Sequence, residues 1–302
     1  FSQTRTAKIK KVKKDEMPKD TLAIIDIRSG EIKKYANYKS HNTPDKLYST
    51  IAFELTPAKE KPAPKGEKPA DKKDAKKPEK KAPVKELYVM DINTLAIDTI
   101  KNVASYRFNK QGDILAYTVE PEKKDTVTVP ALMLYTVATG ESKEVISGPK
   151  GSKIKLPVFS EVGTLAFYAN TDTSKAAKKN IEIYFYNILS GDLKVAANNR
   201  MEGLKEGWIV SENGSLSFSK DGGRLFFGTA PKPLEKDTSL VEFEQPQLDI
   251  WSWHDDYLQP VQLMKRSREL KKTYTAYVNL DNGKFVQLGD LDVPNVVVYN
   301  KQ

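Results

Sequence analysis

The chain has 302 residues, 39% hydrophobic and 29% charged, with no Cys and only two His, His41 and His254. That composition allows a sizeable core, excludes disulfides and thiolate chemistry, and leaves any imidazole catalysis to one of two rings. No apolar run approaches the roughly 20 residues of a transmembrane helix, and the net charge of +9 has meaning only once it is located.

Residues 1–19 hold seven Lys or Arg against Asp15 and Glu16. They open Phe1-Ser2-Gln3-Thr4-Arg5, without an initiator Met or an apolar leader, so the start reads as processed or excised. A hairpin follows, Leu22 to Tyr35, turning at Ser29-Gly30. Ser49 to Leu55 and Glu86 to Ile92 then read as neighbouring strands, separated by residues 57–85. This Lys/Pro/Ala-rich segment has eleven Lys, five acids, six Pro and five Ala. It cannot bury enough surface to offset its ordering entropy, so a mobile insert is expected. With both basic segments set aside, the strand-forming body is near −2. It offers no basic stripe, and no nucleic-acid partner is expected.

The next elements repeat. Tyr106 to Tyr117 is an apolar strand, a tight turn at Gly112 and a second apolar strand. Val158 to Phe167 repeats it around Gly163, and Leu216 to Phe227 around Gly222-Gly223. Phe108, Phe159 and Phe218 fall at matching points of the three copies, and each is expected to be buried between neighbouring sheets. Each unit continues, after a variable insert, into another hairpin. These are Leu132 to Val145 at Thr139-Gly140, Ile181 to Val195 at Ser190-Gly191, and Asp249 to Gln262 at Asp255-Asp256. Glu86 to Ile100, turning at Asn93-Thr94, and Thr275 to Leu288, turning at Asp281-Asn282-Gly283, fit the same scheme. Gly, Asn and Asp serve there because tight hairpins require positive φ. The inserts Glu120–Val129, Asn170–Asn180 and Thr229–Gln247 all follow the second strand of the recurring hairpin. The best helix candidate, Leu258 to Lys271, carries Pro260 and few apolar positions.

Two hairpins per unit, repeated at about 40–50 residues plus inserts, is the pattern of four-stranded propeller blades. The fold is therefore read as all-β, a β-propeller of four-stranded antiparallel blades. Residues 1–302 would form one propeller domain, incomplete, with parts of about five to six blades. Val296 to Tyr299 starts a blade that does not continue. Open terminal edges of this kind invite self-association, so a homo-oligomer is among the expected partners.

Phe218-Ser219-Lys220-Asp221-Gly222-Gly223-Arg224-Leu225-Phe226-Phe227 and Ile183-Tyr184-Phe185-Tyr186-Asn187 resemble the N-terminal propeller of the prolyl oligopeptidase family of serine peptidases. Lys220 stands where that family usually has Pro. Leu248-Asp249-Ile250-Trp251-Ser252-Trp253-His254-Asp255-Asp256 and Thr4-Arg5-Thr6-Ala7-Lys8 are similar to its exported, dipeptidyl peptidase IV-like bacterial members. The resemblance implies a periplasmic or secreted location, peptide substrates, no cofactor, and a propeller gating a C-terminal α/β-hydrolase domain. No Gly-x-Ser-x-Gly elbow occurs in these 302 residues, so catalytic residues are expected to lie outside them. A stand-alone TolB-like propeller, acting as a protein-interaction scaffold, is the alternative.

Dipeptidyl peptidase IV holds the substrate amine with a Glu pair. Here Glu242 and Glu244 come nearest, and in an extended segment both would share one face. They are the speculative substrate-binding residues, with ordinary surface acids as the plainer reading. His254 beside Asp255 and Asp256 reads as turn chemistry rather than a metal site. Trp251 and Trp253 share a strand face and are expected to be buried against the next blade. Gly148-Pro149-Lys150-Gly151-Ser152-Lys153 lacks phosphate-loop spacing.

Overall fold

The computed structural model describes residues 2–12, 17–46, 49–56, 85–121, 128–149, 151–155, 157–170, 180–233 and 251–299. The chain divides into two compact units, Phe1–Lys150 and Gly151–Gln302. Apart from two short helices, the regular structure of the described residues is all β. Of the Lys-rich insert, only Lys85 falls within the described residues.

The first unit begins with helix α1 (Ser2–Ile9) and a two-stranded sheet, β1 (Thr21–Ile25) and β2 (Ile32–Ala36). Two antiparallel meanders follow. β3 (Tyr38–Asn42), β4 (Thr50–Leu55), β5 (Glu86–Asp91) and β6 (Ile97–Lys101) pair in sequence order. So do β7 (Val103–Phe108), β8 (Ile114–Val119), β9 (Ala131–Thr136) and β10 (Glu141–Ser147). The strands flanking the Lys-rich insert are thus neighbours, with Thr50 opposite Asp91 and Glu54 opposite Leu87.

Strand alternation decides which side packs where. Ala52, Leu87 and Val89 join Val103, Phe108, Leu115, Tyr117 and Tyr135 of the next meander in one core. The odd-numbered Ile51 and Phe53, with Met90, form a second cluster against Leu22, Ile24 and Tyr35 of the β1–β2 hairpin. The rings of Tyr35 and Phe53 lie 5.1 Å apart.

The second unit repeats the plan with a broken first strand. β11 (Lys153–Ile154) and β12 (Val158–Phe159) both pair with β13 (Thr164–Asn170), followed by β14 (Glu182–Asn187) and β15 (Leu193–Ala197). Next, β16 (Trp208–Val210) and β17 (Ser217–Phe218) both pair with β18 (Arg224–Pro231). Helix α2 (Gln259–Glu269) then precedes β19 (Tyr274–Asn279) and β20 (Phe285–Gln287), which complete that sheet. The core joins Ala166, Tyr168 and Ile183 to Val210, Phe218, Leu225, Phe227 and Val278. Between β16 and β17 the chain folds over β18, and only glycines fit there. A Cβ on Gly214 would lie 2.5 Å from the Gly228 Cα.

Two turns recur, each with a chemical cause. In the inner hairpins, Phe108, Phe159 and Phe218 stand opposite Leu115, Leu165 and Leu225. The polar residue after each Phe caps the turn. Asn109 Oδ1 accepts from the Gly112 and Ile114 amides, Ser160 Oγ from the Thr164 amide, and Ser219 Oγ from the Arg224 amide. The outer turns share a different pattern. Gly30, Leu95, Gly140, Gly191 and Gly283 each donate a backbone hydrogen bond, 2.8–2.9 Å long, to the carbonyl four residues earlier. All five have positive φ. The Ser, Thr or Asn before each accepts from the amide two residues on. This shared turn identifies β1–β2 as the outer half of a blade. The described residues thus contain four complete blades and one half blade.

Two expectations need correction. Asp249 to Gln262 is not the outer hairpin of the last blade. Its described part is a loop leading into α2, and the outer hairpin is Tyr274 to Gln287. Pro260 does not prevent that helix because it sits in the first turn, where no amide hydrogen bond is lost. Phe159 is only half-buried, whereas Phe108 and Phe218 are buried.

Candidate functional site

Glu242 and Glu244 lie outside the described residues. His254 is exposed and lies against Trp253, with ring centroids 3.5 Å apart and the planes tilted by 33°. Asp255 is engaged by its own loop, accepting from Gln262 Nε2 at 3.1 Å and the Ser252 amide at 3.4 Å. Among the described residues, no group of three His, Asp or Glu side chains is placed to hold a metal ion, and no helix is long and apolar enough to cross a membrane. Trp251 and Trp253 are 70% and 88% exposed, not buried against a blade. The strand that would have buried them is not a strand.

The first unit has a polar cleft of about 530 Å³ between β6 and the β9–β10 hairpin. Asp98 and Lys101 line one side, and Tyr135, Thr139 and Ser142 the other. The Tyr135 hydroxyl donates to Asp98 Oδ2 at 2.5 Å, and the Tyr117 hydroxyl to Ser142 Oγ at 3.0 Å. Tyr135 is buried in the ring and polar at the tip, so the contact ties one blade to the next. Burial, then the Asp98 carboxylate, push its hydroxyl pKa up.

Four further perturbed groups also belong to the framework. Glu86 and Tyr88 on β5 repeat as Glu182 and Tyr184 on β14, each phenol donating to its carboxylate at 2.6 Å. The Glu86 hydrogen bond pushes Tyr88 up to about 12. Burial, then Glu182, push Tyr184 up to about 12. Asp26 is held below the ordinary carboxylate value by amide donors at its turn, that of Arg28 first. Asp221 is lowered first by the Ser219 hydroxyl. None of these pairs a poised base with a nucleophile, the pattern that acid–base catalysis would need.

In the second unit the prominent surface is the segment 251–272, inserted between the second and third strands of the last blade. Gln262 Nε2 also donates to the Tyr257 carbonyl at 2.8 Å, and Lys265 Nζ sits 3.3 Å above the Tyr257 ring. These contacts fold the loop onto one side of α2. No residue of the helix is buried. Sequence reading missed this arm because Trp-x-Trp alternation imitates a strand. The available signal was the outer-turn pentad, present at Asn279–Gly283 and absent at Asp255-Asp256.

No protein-family model matches the chain, and no curated protein matches it. Among solved structures it is similar to the β-propeller domain of the trilobed protease from Pyrococcus furiosus, at 16% identity and a TM-score of 0.42, over 73% of this chain and 59% of that one. It is similar to the acylaminoacyl peptidase from Pyrococcus horikoshii at 14% identity and a TM-score of 0.41, over 70% of this chain and 31% of that one. An oligogalacturonate lyase in complex with manganese matches at 10% identity and a TM-score of 0.43, over 93% of this chain and 62% of that one. The chain therefore spans less than two thirds of each. Likeness at this level does not decide function, and the fold rests on the strand pairing described above.

Proposed function

We propose that this chain is the non-catalytic propeller module of an exported serine peptidase of the prolyl oligopeptidase type, gating and orienting peptides for an α/β-hydrolase domain elsewhere in the parent protein. The observation that carries the reading is the repeat itself. Four meanders share the Phe–Leu register of the inner hairpin or the outer turn, and the perturbed groups described above lie in hydrogen bonds within or between the blades. A scaffold built this way supplies shape and access, while chemistry needs a separately positioned nucleophile. The motifs from Phe218 to Phe227 and from Leu248 to Asp256 direct the reading to this peptidase class.

The test uses the purified chain and prolyl and alanyl dipeptide chromogenic substrates. No turnover is expected. Hydrolysis that persists through purification and is abolished by a serine-reactive phosphonate would refute the assignment.

A further inference from the structure

We infer that helix α2 is an interfacial anchor that lies flat on an anionic phospholipid surface, a role independent of the peptidase reading. The helix is mounted with its apolar side outward. From Pro260 to Glu269 only Val261, Gln262 and Lys265 are half-buried, and they share the side turned to the preceding loop. There Gln262 bonds to Asp255 and to the Tyr257 carbonyl, and Lys265 caps the Tyr257 ring. At about 3.6 residues per turn, Leu263, Met264, Ser267 and Leu270 fall on the opposite side. Leu263, Met264 and Leu270 are 55%, 84% and 75% exposed. A helix on a globular protein turns its apolar stripe to the core. This one turns polar side chains inward and the stripe to solvent.

Exposed apolar side chains also gather at 25–32 and 291–299, so exposure by itself selects nothing. Charge does. Residues 25–32 hold Arg28 against Asp26 and Glu31, and 291–299 hold Asp292 alone, so both are net negative. Residues 259–272 hold Lys265, Arg266, Arg268, Lys271 and Lys272 against Glu269, a balance of +4. Arg266 and Arg268 stand on the two borders of the apolar stripe, and Lys271 and Lys272 at its C-terminal end. Among the described residues, the one ion pair these cations make is Lys272 with Glu269, at 3.9 Å.

An apolar stripe bordered by cations, whose stems can bend toward headgroups, is the pattern of a helix lying in a bilayer interface. Asp255, bonded to Gln262, is on the other side, so the stripe meets lipid without bringing that carboxylate onto it. A protein partner fits less well. The stripe has no aromatic side chain to anchor in a partner's pocket, and Leu is under-represented among residues that carry protein–protein affinity.

The experiment uses the 302-residue chain. It has no Cys, so Ser267→Cys, in the stripe, and Glu269→Cys, off it, each take one environment-sensitive fluorophore. With vesicles of phosphatidylcholine and phosphatidylglycerol, the label at 267 should shift to the blue and be quenched by doxyl lipids, and the label at 269 should not. Leu263→Asp/Met264→Asp should weaken sedimentation with these vesicles at least about tenfold. Arg266→Gln/Arg268→Gln should weaken it about thirtyfold. The melting transition should stay in place in both, because no residue of the helix is buried. Vesicle binding without quenching at 267, or binding that both double variants retain, assigns the attachment to the Lys-rich segments and overturns the proposal. No binding, or equal binding to phosphatidylcholine alone, overturns it too. Self-association that Leu263→Asp/Met264→Asp abolishes, in a chain that ignores vesicles, makes the stripe a contact between copies instead.

Discussion

Gly228 on β18 offers the sharpest test of the packing. A methyl placed there would lie 2.7 Å from the Gly214 Cα, 2.8 Å from the Thr273 Cβ and 2.9 Å from the Thr273 Oγ1. Carbon atoms in contact sit at about 3.5–4.0 Å, so the overlap is about 1 Å. The Gly214 Cα is backbone and cannot swing away. Gly228 cannot retreat either, because its carbonyl accepts from the Ser211 amide at 2.9 Å. Relief requires the 211–216 segment to lift from β18, so Gly228→Ala should fall at the upper end of the overpacking range, about 3 kcal/mol. In a unit of about 150 residues each kcal/mol moves the transition by about 2–4 °C, which gives a loss of about 6–12 °C. Gly223→Ala is the control. Its nearest obstacle is Asp221 Oδ2 at 3.5 Å, an ordinary contact, and it should change stability by less than about 0.5 kcal/mol. Melting followed by circular dichroism and by calorimetry reads both. If the two variants melt together, the backbones of residues 214 and 228 are not in contact and the broken first strand is wrongly placed.

Phe218→Ala should cost about 3–5 kcal/mol through the cavity it leaves. Phe159→Ala should cost clearly less, because that ring is already half in water; equal losses by urea denaturation would contradict the burial difference. The Tyr88 and Tyr184 phenols are favoured in their neutral form by the fold, with pKa values of about 12 against about 10 in the unfolded chain. Below pH 10 both states keep the proton and stability is independent of it. From 10 to 12 the unfolded chain ionises first, so stability falls as pH rises. The urea midpoint should drop across that window, and less steeply in Tyr88→Phe/Tyr184→Phe; parallel curves would count against both hydrogen bonds.

Local chemistry made most of the blades legible. A Phe, a capping Asn or Ser and a Gly at positive φ are fixed by the turn itself, so they announce the inner hairpin wherever it occurs. The outer turn is as regular, yet a set of Gly or Asn pairs understates it. Its fixed form, an Asp, Thr or Asn four residues before a left-handed residue, rejects Asp255-Asp256 and finds Asn279 to Gly283. The first complete blade has no Phe–Gly inner hairpin; three of its strands were legible, and only pairing with β4 revealed β3. Burial was less legible. Trp251 and Trp253 look like core residues by type, but exposure depends on what lies across from them, and an insertion between strands has no opposite sheet of its own. The Asp98–Tyr135 tie joins two different blades across a long stretch of sequence, and no local pattern encodes it.

The blades spend their extra length in one place. The connection from second to third strand is short in two blades, from Val119 to Ala131 and from Asn170 to Glu182. It is much longer from Leu55 to Glu86, and longest from Pro231 to Tyr274. Closure entropy rises only with the logarithm of length, so a roughly fourfold difference costs about 1 kcal/mol. Strand register on either side is set by β-sheet partners and is indifferent to what the connection contains. The fold thus has a standing graft point: new sequence can be accepted there, tried against new surfaces and discarded, while the blade that carries it keeps its shape.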